Sequence, residues 1–178
     1  MNYRVMDIPR FYSAAPSYYH KMIGGYHAAK LTRYQDLIDR HLSHFTQGSE
    51  TDADWNVLNM LNARYIVGMD GQALRNPEAY GNAWFVDNVD YVDTPDREMA
   101  KLSEINPRLT AVADRKFESA LGKSATVSPG DTIVETSYAP NRLTYRSHSD
   151  KGGVAVFSEV YFPWGWTATI DGKEAEIG

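Results

Sequence analysis

Two groups of aromatic side chains are the residues in this chain best suited to chemistry with a ligand. Tyr18, Tyr19 and Tyr26 lie on either side of the pair Gly24-Gly25, and Trp164 and Trp166 belong to the run Tyr161-Phe162-Pro163-Trp164-Gly165-Trp166. Sugar rings present apolar faces that stack on Tyr and Trp, while their hydroxyls hydrogen-bond to polar tips, so these residues form a candidate glycan platform. His20 and His27 sit among the tyrosines and complete the candidate ligand-binding set. The competing reading is that aromatics at a strand corner and a helix start simply fill a core. Exposure separates the two: a solvent-facing aromatic row supports sugar binding, and buried rings support packing.

Other chemistries find less in the sequence. His20 and His27, with His41 and His44 further on, invite a metal reading, but the glycine pair interrupts the first spacing and no acidic residue stands at a recognised ligand interval. No metal site and no cofactor are predicted. There is no G-x-S-x-G elbow, no phosphate-cradling glycine loop and no cysteine, which leaves no nucleophile to assign. Asp87, Asp90 and Asp93 recur every three residues in a strand-like run and read as a solvated face or loop. Glycoside hydrolysis needs two carboxylates facing one another, and no such pair is recognisable by spacing. No residue is assigned as catalytic.

The elements that must position these residues follow from local patterns. Tyr3 to Ile8 alternates as a short strand that Pro9 stops. From Ala28 the positions Leu31, Tyr34, Leu37, Ile38, His41 and Leu42 recur at three and four, one face of an amphipathic helix started by the glycine pair. Thr51 or Asp52 caps a second helix through Leu61, with Trp55, Leu58 and Leu61 on its inner side. Tyr65-Ile66-Val67 reads as a buried strand, and Ala83-Trp84-Phe85-Val86 as its partner. Thr94-Pro95-Asp96 starts a third helix whose inner face is Met99, Leu102 and Ile105. Leu109 to Ala113 is a candidate strand, and Phe117 to Leu121 a helical turn stopped by Gly122.

From Ala125 onward the pattern is β: Thr132 to Ser137 and Arg142 to Ser147 are strands, and Gly152 to Ile177 reads as strand, corner, strand, turn, strand. Asp171-Gly172 is a hairpin signal, because a two-residue primed turn needs positive φ, which Gly adopts freely and Asp tolerates. Helices followed by antiparallel strands predict an α+β fold: N-terminal helices and short strands packed with a C-terminal antiparallel, sandwich-like sheet. The expected organisation is a single unit over 1–178, mixed helix and strand over 1–122 and antiparallel β over 123–178.

Composition bounds the rest. With 178 residues the chain can bury a substantial core, and 43% hydrophobic with 23% charged residues is ordinary for a folded protein. A net charge of -5, with Lys and Arg scattered rather than clustered, argues against a nucleic-acid partner. No apolar run approaches the ~20 residues that cross a bilayer. Without cysteine the redox compartment is undetermined.

Two segments carry a family resemblance. SEVYFPWGWTATIDGKE, from Ser158 to Glu174, resembles a pattern near the C-terminus of YfhO-like bacterial membrane proteins, with Trp164 intervening between Pro163 and Gly165-Trp166. SYYHKMIGGYHAAKLTRYQDLI, from Ser17 to Ile38, resembles a second segment of some members, and Leu61 to Val67 resembles a leucine-asparagine run before a strand. The resemblance implies a soluble extracytoplasmic (periplasmic) domain that follows a long array of transmembrane helices. It further implies kinship with lipid-carrier-dependent glycosyltransferases of cell-envelope glycosylation, whose catalytic acid lies in a loop between early transmembrane helices that this chain does not contain. The fragment is then expected to be an accessory domain that positions acceptor glycan or polymer, with a lipid-linked sugar and its own transmembrane region as partners. The alternative is a non-catalytic structural or protein-interaction domain packed against the transmembrane bundle. Both ends read as cut, so a strand beyond the Asp171-Gly172 hairpin is expected to be missing and its free edge to favour self-association.

Overall fold

The computed structural model describes residues 2–122 and 126–178. The β part expected over 123–178 thus begins with residues 123–125, which, like Met1, lie outside the described residues. The chain begins with β1 (Arg4–Asp7), followed by a long loop holding one 3-10 turn (Ala15–Tyr18). α1 (Thr32–Leu37) runs without interruption into a π turn (Ile38–Leu42), closed by the Ser43 amide donating to Ile38 at 2.8 Å, and then into α2 (His44–Gln47). The amphipathic spacing thus marks the right face, but the helix starts at Thr32 rather than at Ala28. Leu37, Ile38, His41 and Leu42 are buried, while Leu31 stays exposed.

α3 (Asp52–Met60) is capped by Thr51 and Asp54, each side chain satisfying the other's backbone N–H. It ends where Asn62 turns left-handed at φ 56°, a conformation asparagine tolerates better than most residues. Val57, Leu58 and Leu61 form its inner face, and Trp55, expected there, is 37% exposed and meets Phe45 edge-on at 5.0 Å. The buried cluster is built from Met6, Phe11, Ile23, the helices of 32–61 and Ala63, with Met99 and Leu102 of the later chain packed against it. Each such side chain taken from water contributes roughly 1.5–3 kcal/mol.

β2 (Ala63–Val67) lies between β1, to which it is parallel, and the antiparallel β3 (Ala73–Arg75). It is only half-buried beyond Ala63, because β3 is exposed throughout and covers an edge, not a face. β4 (Ala83–Val86) therefore does not pair with β2 as its position suggests. It pairs antiparallel with β9 (Val154–Phe157), from far along the chain. Between them in sequence come β5 (Asn88–Val92), α4 (Pro95–Lys101), β6 (Thr110–Asp114) parallel to β5, α5 (Glu118–Leu121), and the hairpin of β7 (Thr132–Ala139) and β8 (Arg142–His148). Thr94 caps α4 through the Arg97 amide, as the Thr-Pro-Asp signal predicts.

The hairpin of β10 (Ala168–Ile170) and β11 (Lys173–Ala175) turns at Asp171 and Gly172, with φ 51° and 78°, the primed turn read from the sequence. The fold is α+β. In place of one sandwich-like C-terminal sheet, the later strands are held in separate pairs, β7 with β8, β9 with β4 and β10 with β11. Among the described residues no helix is long and apolar enough to cross a membrane.

Candidate functional site

The loop between β1 and α1 carries most of the predicted aromatic residues, and its path is set by a close approach at Gly24. A Cβ at that position would lie 2.2 Å from the Phe11 carbonyl oxygen and 2.7 Å from the Phe11 ring, so only glycine fits. The next amide, of Gly25, donates to the same carbonyl at 2.6 Å. Upstream, the Val5 amide donates to Lys21 at 2.8 Å and the Ile23 amide to Val5 at 3.1 Å, a parallel bridge that lays 21–23 along β1. The Tyr34 hydroxyl donates to the Ile23 carbonyl at 2.7 Å from the helix side, and burial pushes its pKa up to about 12. The loop is fixed by its backbone and by the buried Phe11 ring, which leaves Tyr18, Tyr19 and Tyr26 free to face solvent.

Between this loop and the later strands runs an open groove of about 650 Å³, lined by segment 17–22 with Arg4, Tyr138 and Glu159. Tyr18 and Tyr19 are 86% and 83% exposed on one wall, and His20 is exposed beside them. The Arg4 guanidinium crosses the floor: it meets Glu159 at 2.9 Å, and also donates to the carbonyls of Leu61, at 3.0 Å, and Ser158. The Lys21 ammonium lies 3.4 Å from the centroid of the Tyr138 ring and donates to the Asn2 side chain at 2.6 Å. The Asn2 amide in turn donates to Glu135 at 2.9 Å and to Glu159 at 3.4 Å. A chain of asparagines supports Glu135 from behind, with Asn82 donating to it at 2.6 Å and Asn62 to Asn82 at 2.8 Å.

Two irregularities in the strands coincide with this network. The β1–β2 register slips between Arg4 and Val5, and the β7–β8 register slips between Glu135 and Ser137. A bulge re-aims the side chain beside it, and here one lies next to Arg4 and the other next to Glu135. Tyr145, opposite Glu135 on β8, buries a hydroxyl with no hydrogen-bond partner among the described residues; burial and then the nearby carboxylates of Glu135 and Glu159 push its pKa up to about 12. Buried Ser158 anchors the end of β9, its hydroxyl lying 2.8 Å from the Met60 carbonyl and 2.6 Å from the Gly81 carbonyl, which share its one proton. That anchor delivers Glu159 to Arg4.

Of the residues singled out from sequence, Tyr18, Tyr19 and His20 come together in this groove, and Tyr26, His27, Trp164 and Trp166 stand outside it. Tyr26 is 74% exposed, and the exposed His27 accepts the Ala29 amide at 3.1 Å. Trp164 is 85% exposed and meets Phe162 edge-on at 5.6 Å, while Trp166 is half-buried. Sequence reasoning missed Asn2, Arg4, Lys21, Glu135, Tyr138 and Glu159. Lys21 and Glu159 were within reach, since Lys21 directly follows the Tyr18-Tyr19-His20 cluster and Glu159 lies just before the aromatic corner, and the groove brings the two together. Nothing local marks Glu135 or Tyr138.

A second polar cluster lies inside the core. The Asp54 carboxylate accepts from His41 Nδ1 at 2.8 Å, His44 Nδ1 at 2.9 Å, and the Thr51 amide and hydroxyl at 2.8 and 2.9 Å. Burial pushes its pKa up, but the hydrogen bonds from His44, Thr51 and His41 outweigh that and hold it below the ordinary carboxylate value. His41 and His44 thus tie α3 to the preceding helices. Among the described residues no group of three or more His, Asp or Glu is arranged to hold a metal ion. Asp87, Asp90 and Asp93, read as solvated, have partners: the Val127 amide, Lys101 and Arg115 respectively. No protein-family model, curated protein or solved structure matches this chain.

Proposed function

We propose that this chain is a glycan-contacting extracytoplasmic domain of a YfhO-like membrane protein, an accessory part that positions acceptor glycan or polymer for a lipid-carrier-dependent glycosyltransferase of the cell envelope. One observation carries the glycan reading: Tyr18 and Tyr19 are 86% and 83% exposed over a groove whose floor is the Arg4–Glu159 pair. Bare tyrosine rings cost solvation and add nothing to the core, whereas rings beside carboxylate and guanidinium groups match both the apolar face and the hydroxyls of a sugar. The membrane and glycosyltransferase parts of the proposal rest on the resemblance of segments 17–38 and 158–174. Affinity electrophoresis through gels containing bacterial envelope polysaccharides tests the glycan reading. Retardation that is lost in the Tyr18→Ala, Tyr19→Ala double variant supports it, and unretarded migration in every polysaccharide contradicts it.

A second reading, packing against the protein's own transmembrane helices, is favoured by a different place. Phe162, Trp164 and Ile170 are 38%, 85% and 67% exposed around the β9–β10 connection and the last hairpin. Cross-linking from Trp164 to a transmembrane helix in the full-length membrane protein would support it; cross-links only to soluble partners would count against it.

A further inference from the structure

We infer that the groove takes an uncharged glycan, one presenting neighbouring hydroxyls rather than carboxylate, sulfate or phosphate groups. The inference rests on the glycan reading above and concerns which class of glycan the same site selects.

The charges at the site balance: the cations Arg4 and Lys21 stand beside the carboxylates Glu135 and Glu159. Arg4 and Glu159, only 17% and 25% exposed at the side chain, form an ion pair that bulk solvent screens weakly. Lys21 is held on the Tyr138 ring and on Asn2, and Asn2 is held in turn by Glu135 and Glu159. Arg4 thus meets a carboxylate directly, and Lys21 reaches Glu135 and Glu159 through the Asn2 amide. An anionic ligand that reached Arg4 would draw it from Glu159 and leave that carboxylate unpaired in a partly buried place, which is costly, and one drawn to Lys21 would lie close to Glu135 and Glu159, which the same Asn2 joins to it. It would also approach a chain of net charge -5. A neutral sugar meets neither obstacle. A carboxylate offers about four acceptor positions, and the hydrogen bonds from Arg4 and Asn2 leave Glu159 able to accept more from sugar hydroxyls. Tyr18 and Tyr19 supply the stacking surface on the adjacent wall.

Isothermal titration of the 178-residue chain with neutral glucan, mannan and N-acetylglucosamine oligosaccharides, and with oligogalacturonate and glycerol-phosphate polymer as anionic probes, decides the matter. The expected result is binding of a neutral probe that varies little with salt and weakens by about tenfold in Tyr18→Ala, Tyr19→Ala. Glu159→Gln keeps the size of the side chain and one oxygen to accept from Arg4, but gives up the second acceptor, which Asn2 uses, and leaves the Arg4 charge without its counter-ion. It is expected to gain affinity for oligogalacturonate several-fold over the parent, with native thermal unfolding confirming that it folds. Preferential, salt-sensitive binding of an anionic probe by the parent chain overturns the inference while leaving the glycan reading in place. Neutral binding that survives the double tyrosine variant overturns it as well, since the site is then elsewhere. Absence of heat with every probe overturns both.

Discussion

Arg4 and Glu159 meet at 2.9 Å although 155 positions separate them in the chain. The contact joins the strand nearest the core to the segment just past β9, and it places the charged floor of the groove under Tyr18 and Tyr19. Removing the carboxylate in Glu159→Ala leaves a guanidinium with two carbonyl partners and no counter-charge. We expect a loss of about 2 kcal/mol, seen as a melting temperature lower by roughly 4–8 °C in a domain of this size. An unchanged melting temperature would mean that solvent replaces Glu159 at no cost.

Gly24 is the hinge on which the groove wall depends. A methyl at this position would collide with the Phe11 carbonyl at 2.2 Å, and a backbone atom cannot swing aside as a side-chain tip can. Gly24→Ala is expected to cost about 3 kcal/mol and to broaden the amide resonances of segment 17–25. By contrast Gly48→Ala, where an added Cβ meets nothing within 4 Å but the backbone φ is +65°, should cost about 1 kcal/mol. Equal losses at the two positions would contradict the crowding argument.

The Asp54 cluster makes stability sensitive to acid. Its folded-state pKa lies below the ordinary carboxylate value of 3.8, so the folded protein binds the proton less readily than the unfolded chain. The stabilisation is complete above the ordinary carboxylate range and is lost as pH falls through the folded-state value. Asp54→Asn removes the ionised acceptor shared by His41 and His44; equilibrium denaturation should show a loss of about 3 kcal/mol at neutral pH and a flatter acid limb. An unaltered acid limb would place the titration elsewhere.

At the other end of the pH scale, Tyr34 holds its proton to about 12 because burial disfavours the phenolate. The unfolded chain releases that proton near 10, so stability from this residue is present below 10 and lost as pH climbs toward 12. Tyr34→Phe removes the hydroxyl bond to Ile23 and should cost about 1 kcal/mol near neutrality. It should also delete one late step from the absorbance titration of tyrosine. A titration with the same late amplitude as the parent would show that Tyr34 is not so enclosed.

How much of this was legible beforehand depends on range along the chain. The cap at Thr51, one of the two residues offered for it, the Thr94 cap and the Asp171-Gly172 turn are local chemistry and are found where the sequence placed them, while the return bond from Asp54 was not read beforehand. Strand partners were less legible: the β4 sequence reads the same whether β2 or β9 lies beside it, and only packing across some seventy positions selects β9. The groove divides the same way. Tyr18, Tyr19 and His20 announce themselves as clustered rings. Arg4, Glu135 and Glu159 are ordinary charged residues of strands and loops until two register slips and the Ser158 anchor bring them together.

Chemical-shift mapping on the isotope-labelled chain tests the central claim most directly. With an envelope glycan as titrant, the account predicts perturbed amides in segment 17–22 and at Arg4, Tyr138 and Glu159, with the Tyr18 and Tyr19 ring protons shifted upfield or broadened by stacking. Perturbations confined to the Phe162–Trp166 corner, or a spectrum unchanged at saturating glycan, would contradict it.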